Sequence, residues 1–154
     1  MDNQFTRKTE TELSRIDLEE LKISVSDSQI KKGGLFSFSY VTYKVTLDPF
    51  GWNVRRKEAD FIYLRKYLLW IYPNHVIPPL LLLGGSLAED WIFKKEHYLS
   101  KFLEDCLRSP DLKGCYFMQE FLSLADDRLF GKVMKDREKD KNPEILKNFY
   151  SVSG

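Results

Sequence analysis

The chain has 154 residues, 43% hydrophobic and 31% charged, which fits one globular domain with tails and enough apolar side chains for a core. Its 24 Lys and Arg stand against 23 Asp and Glu, a net charge of +1, so bulk charge makes no case for nucleic acid and any basic site must be a local patch. The longest apolar runs fall far short of a membrane span, so contact with a bilayer is expected from outside only.

Residues 1–17 are polar and weakly patterned and read as a flexible lead-in. Leu21, Ile23 and Val25 then alternate with polar residues, which predicts a half-buried strand, and "KKGG" (Lys31 to Gly34) predicts a turn. A second strand carries Phe36, Phe38 and Tyr40, then Val41, Tyr43, Val45 and Leu47. Its apolar phase flips between Tyr40 and Val41, which implies a bulge there or burial on both faces. "DPFG" (Asp48 to Gly51) is a turn, and a third strand puts Trp52 and Val54 on one face and Arg55 and Lys57 on the other.

Three successive strands predict a meander. A helix follows over about Glu58 to Tyr72, with Phe61, Leu64, Leu68 and Ile71 as its core stripe and Tyr63, Tyr67 and Trp70 as a second apolar stripe; Pro73 ends it. "VIPPLLLL" (Val76 to Leu83) starts as an extended proline segment. A second helix runs to about Arg108 with Ile92, Leu99, Phe102, Leu103 and Cys106 on one face, and a third holds Phe117, Phe121 and Leu124. Residues 126–154 form a charged C-terminal extension. "KDREKDK" (Lys135 to Lys141) lacks an apolar stripe and reads as a solvated helix face or linker, while Ile145, Leu146, Phe149 and Tyr150 offer a short apolar face.

Cys106 and Cys115 sit in apolar, helical settings and read as buried thiols. With only His75 and His97 besides, a zinc cluster lacks ligands, and reduced cysteines without a signal peptide point to the cytosol. No nucleophile elbow or phosphate loop is present, and the acidic pairs are adjacent in sequence rather than convergent. No enzyme, cofactor or metal is therefore expected. Aromatic residues and lysines are not interleaved on one sheet face as nucleic-acid binding would need.

The landmarks "VRRKEADFIYLRKYLLWIYPNHVIPPL" (Val54 to Leu80) and "YLSKFLEDCLRSPDL" (Tyr98 to Leu112) resemble those of the PX domain, the phosphoinositide-binding module of sorting nexins. The likeness spans roughly Leu18 to Leu124, within a domain over 18–125. It implies an α+β fold: a three-stranded antiparallel β-meander packed against about three α-helices, with a proline-rich loop. It also implies a four-part headgroup site of one arginine at the strand end, an aromatic after it, a lysine beyond the proline turn and an arginine on the next helix. Counted from Asp60-Phe61, from Pro78-Pro79 and from Leu99, these positions here are Lys57, Glu58, Leu83 and Lys95, and Leu81 replaces the second turn proline. A shift by one residue would give the phosphate role to Arg56, but Asp60-Phe61 fixes the register against it.

The resemblance therefore implies phosphoinositide contacts at Lys57 and Lys95, with Arg55 and Arg56 beside them, and a membrane-insertion loop of Leu80, Leu81, Leu82 and Leu83. Lysine offers phosphate a point charge where arginine offers a fork, and Glu58 can neither stack on a ring nor welcome an anion. The expected function is non-enzymatic recruitment in membrane trafficking or protein sorting, with a weakened headgroup site. The expected partners are phosphoinositide lipids or an anionic membrane surface, and the expected location is cytoplasmic and peripheral on endosomal membranes. The alternative is a PX fold that has lost lipid and binds a protein through the aromatic and leucine loop. The leucines either enter the bilayer or pack inward; an extended run cannot bury every side chain, since alternate residues face opposite ways.

Overall fold

Val41, Tyr43, Val45 and Leu47 point to one side of a strand, and that alternation defines the floor of the core. The computed structural model describes residues 11–35, 38–81 and 89–141. Strands β1 (Lys22–Lys31), β2 (Tyr40–Asp48) and β3 (Trp52–Lys57) form an antiparallel sheet in the order β1-β2-β3. Val25 pairs with Val45, and Val45 with Val54, so three buried valines lie in a row across the sheet. Gly51, at φ 70, makes the β2–β3 turn, a conformation that costs glycine little, and Phe50 stacks on Trp52 at 4.3 Å.

The irregularity expected in β2 lies instead in β1. The register shifts between Ser26 and Gln29, around Asp27 at φ 45. The phase flip in the second strand has a simpler origin: β2 begins only at Tyr40, and Phe38 is exposed ahead of it. Phe36 lies outside the described residues.

Helix α1 (Glu58–Ile71) buries Phe61, Leu64, Leu68 and Ile71, the predicted stripe. Helix α2 (Glu89–Leu107) adds Leu99, Phe102, Leu103 and Cys106. The expected third helix is two helices: a short α3 (Pro110–Lys113), capped by the Ser109 hydroxyl accepting from the Leu112 N–H, and α4 (Tyr116–Ser123). Rings of α1, β2 and α4 meet edge to face, with centroid distances of 6.5 Å for Tyr43–Phe61 and 5.1 Å for Phe61–Phe121. Cys106 and Cys115 are buried free thiols, and burial pushes both thiol pKa values up, away from reactivity.

Both tails carry residues packed on the domain where they are described. Within the lead-in, Leu13 is fully buried, its N–H donates to Gln119 Oε1 at 3.2 Å, and Lys113 Nζ donates to the Ile16 carbonyl. Beyond residue 126 the chain forms helix α5 (Asp127–Glu138) and a 3-10 turn (Lys139–Lys141), and both fold back on the domain. Phe130 is buried, and Val133 and Met134 pack on the core, so the apolar stripe lies just ahead of the charged run. The charged run itself is anchored. Tyr67 donates to Asp140 Oδ2 at 2.7 Å, Arg137 reaches the same oxygen at 3.3 Å, and Tyr63 donates to the Met134 carbonyl at 3.1 Å. Lys141 lies over the Trp70 ring at 3.7 Å. The second stripe of α1 is thus covered by α4 and by the C-terminal segment. The Ile145 to Tyr150 face lies outside the described residues.

Asp140 is nearly buried, so its partners decide whether the turn stays docked. Tyr67→Phe leaves Asp140 only Arg137 among the described residues. It is expected to lower unfolding free energy by about 1–2 kcal/mol in urea titration, because one buried carboxylate lone pair loses its donor. An unchanged midpoint would show that the turn contributes nothing to the fold.

Candidate functional site

Alternation in β3 decides which basic side chains are available. Trp52, Val54 and Arg56 share the core face, and Arg55 and Lys57 take the other. Arg56 is 1% exposed. Its Nε donates to the Phe121 carbonyl at 3.0 Å, and its two terminal nitrogens reach the carbonyls of Arg55 at 2.9 Å and Leu124 at 2.5 Å. The guanidinium also stacks 3.7 Å from the Phe130 ring centroid. Phe121 and Leu124 are at the end of α4, where helix carbonyls lack partners, so Arg56 caps that helix. Burial pulls its pKa down to about 10, which still leaves it charged at neutral pH. Arg56, expected beside a headgroup, directs these donors at the protein's own backbone.

Arg55 is partly exposed. It forms an ion pair with Asp27, donates to the Asp27 carbonyl, and reaches the Thr42 carbonyl at 3.3 Å. The bulge in β1 turns Asp27 into position for this. Lys57 is exposed, with its ammonium 5.6 Å from the Tyr40 ring centroid. Together with Arg55 and Tyr40 it lines a cleft of about 220 Å³ closed on the far side by Gly131 and Met134 of α5.

Glu58 opens α1, and Asp60 Oδ2 accepts from the Lys57 N–H at 2.7 Å, so two carboxylates meet the positive end of the helix. Lys95, on α2, is 5% exposed, and its ammonium lies 3.2 Å from Glu58 Oε2. Lys95 is therefore paired with Glu58, whereas the Lys57 side chain lies by Tyr40 and Arg55 in the cleft under α5. The partner of Lys95 is a side chain of this protein. Next along α2, Glu96 accepts from the Ser28 N–H at 3.1 Å and from the Ser28 hydroxyl at 2.5 Å. Tyr43 is fully buried nearby, and its hydroxyl has no hydrogen-bond partner among the described residues. Burial first, then the charges of Glu58 and Glu96, push that hydroxyl up to about 12.

The proline loop is held from below. Ile77 is buried, Arg65 Nε donates to the Pro78 carbonyl at 2.9 Å, and His75 meets Asp111 at 2.7 Å. Leu80 packs on the core while Leu81 is 52% exposed. Leu82 and Leu83 lie outside the described residues. Past the loop, α2 presents Trp91 and Phe93 at 38% and 72% exposure, with the Lys94 ammonium 5.2 Å from the Trp91 ring.

A short antiparallel sheet, a helix launched from its last strand, a proline-rich segment and a second long helix are the architecture of a PX-type α+β domain, and the family comparison agrees. The PX domain model matches residues 44–125, and the chain belongs to that family. Curated relatives include sorting nexin MVP1 of Candida albicans, 30% identical over 74% of this chain and 16% of its own length. Sorting nexin-4 of Saccharomyces cerevisiae is 26% identical over 85% of this chain and 36% of its own length. Sorting nexin-30 of Mus musculus is 28% identical over 76% and 30%. The chain thus spans well under half the length of these relatives. Among solved structures, a designed CISK-PX domain superposes with a TM-score of 0.55 at 27% identity, covering 67% of this chain and 99% of that one.

Arg56→Lys keeps the charge but cannot reach several carbonyls at once or stack on Phe130 as a planar group. It is expected to destabilise by about 3 kcal/mol in denaturant unfolding. A loss of under half that value would show that the capping geometry is dispensable.

Proposed function

We propose that this chain is a non-enzymatic recruitment module of the trafficking class that docks reversibly on inositol-lipid membranes of the endosomal system, with a weak grip on phosphorylated headgroups. The observation that carries this reading is the exposure of large apolar side chains on either side of residues 82–88 in the chain. Leu81 precedes them, Trp91 and Phe93 follow in the first turn of α2, and the Lys94 ammonium lies 5.2 Å from the Trp91 ring. PX membership and the sorting nexin relatives support the same direction. No helix among the described residues is long and apolar enough to cross a membrane.

The balance of forces favours reversible binding. One fully desolvated leucine contributes roughly 1.5–3 kcal/mol, and each basic residue near an anionic surface about 1 kcal/mol. A phosphate approaching Lys95 must displace Glu58 or sit beside it, and like charges a few ångströms apart repel by about 1–4 kcal/mol between bulk water and a protein surface. Contact is therefore expected to come from the exposed apolar side chains, with Lys57 and Lys94 adding attraction and Arg55 a smaller share because Asp27 already holds it.

The same closed ion pair favours a second reading, a protein partner seated on Trp91, Phe93 and Leu81. Salt separates the two. Vesicle flotation across the inositol lipids should weaken from low to moderate ionic strength, whereas an aromatic and leucine interface should not. Lys57→Glu is expected to lower vesicle retention several-fold, and unchanged retention would remove Lys57 from the surface. Leu81→Asp is expected to abolish flotation with the thermal midpoint unmoved, because the side chain is half in solvent. A fall in the midpoint instead would place Leu81 in the core.

A further inference from the structure

We infer that the outer face of the sheet, together with the cleft beneath α5, is a docking surface for an acidic, extended segment of a partner protein. This goes beyond membrane recruitment and does not depend on it.

Charge is divided unevenly along the chain. Residues 22–57, which span the sheet, hold seven of the 24 Lys and Arg but two of the 23 Asp and Glu, so the rest of the chain is acidic on balance. Strand register gathers most of these cations on one face. Lys44 lies opposite Ser26 on one side and Arg55 on the other, Thr42 lies opposite Lys57, and Tyr40 opposite Lys31. Paired residues share a face, and none of these is buried, so the face is open. Arg55 has Asp27 as its counterion, but Lys31, Lys44 and Lys57 have no ion pair among the described residues. An open face with unmatched positive charge calls for a negative partner.

Spacing selects a peptide as that partner. Arg55 and Lys57 are two residues apart on one strand, a step of about 7 Å. Carboxylates on alternate residues of an extended peptide repeat at the same interval, so a segment laid along β3 meets both. The side chains between the cations, Ser26 and Thr42 among them, carry hydroxyls that donate to carboxylates and do not enter hydrocarbon.

The cleft supplies an anchor. Phe130, Gly131 and Met134 of α5 form one wall of its 220 Å³, and Tyr40 lies across from them. Asp60 and Asp127 also line it, so the cleft itself suits an uncharged side chain while the acidic residues of the segment lie out on the strands. Gly131 points the same way. It sits inside α5, where glycine weakens a helix, and a β-carbon built on it meets nothing within 4 Å. Crowding does not call for glycine there; its missing side chain leaves the cleft open.

The test selects random dodecapeptides displayed on phage against the immobilised full chain, without lipid, and measures the selected sequences as synthetic peptides by fluorescence anisotropy. Selection is expected to enrich acidic residues at alternate positions beside an apolar one. Lys44→Glu, which sets a carboxylate opposite Arg55 and so suits the fold, is expected to weaken binding about tenfold. Gly131→Met, which favours the helix and fills the cleft, is expected to weaken it by about the same factor with the thermal midpoint unchanged or raised. Selection without acidic enrichment overturns the inference, as does unchanged affinity in a folded form of either variant. So does the loss of flotation on phosphatidylserine vesicles in Lys44→Glu when no peptide binds, which assigns the face to a membrane instead. Flotation of Leu81→Asp is a separate readout, so this surface and the recruitment reading fail independently.

Discussion

A single buried guanidinium ties the domain together. Arg56 occupies a core position on a strand and converts it into a junction, taking up carbonyls that α4 leaves unpaired at its end and offering its flat face to Phe130 of α5. Charge inside a protein is tolerated only when hydrogen bonds saturate it, and here the backbone does so. Because β3 is fixed at residue 56, the next two residues have little choice. Lys57 is thrown to the opposite face, and Glu58 starts a helix facing α2. The position of the candidate site thus follows from a residue whose donors face the protein's own backbone.

The candidate site combines two kinds of contact. Apolar area at the loop and at the start of α2 gives a non-directional attraction to any surface that accepts hydrocarbon. The ionic part is directional but largely neutralised from within, since Lys95 meets Glu58 and Arg55 meets Asp27. Lys57 is the cation of the expected set that stays exposed with no ion pair among the described residues. An association built this way would be readily reversed.

Much of the architecture was legible in the sequence because it rests on periodicity. The α1 stripe, the meander and the two thiols follow from spacing that local physics enforces. The same rule held the clue to Arg56: two residues beyond Val54, it had to share the core face, but a charged side chain there is anomalous unless helix-end carbonyls await it, and no local pattern announces those. The docking of residues 127–141 was hidden for a related reason. Phe130, Val133 and Met134 lie ahead of a conspicuous charged run, and the anchors of that run, Tyr67 and Trp70, are about 70 residues away in the chain. The Glu58–Lys95 pair joins residues 37 apart, and family spacing named both positions without indicating that they would neutralise each other.

The three tryptophans occupy three unlike surroundings. Trp52 lies against Phe50 at the sheet turn, Trp70 beneath the Lys141 ammonium, and Trp91 at the exposed start of α2. Indole emission depends on nearby charge, stacking and water, so the chain carries its own optical probes. Hairpin opening, release of the C-terminal turn and contact at the start of α2 should each disturb a different fluorophore, and the three events can be followed separately without attaching a dye.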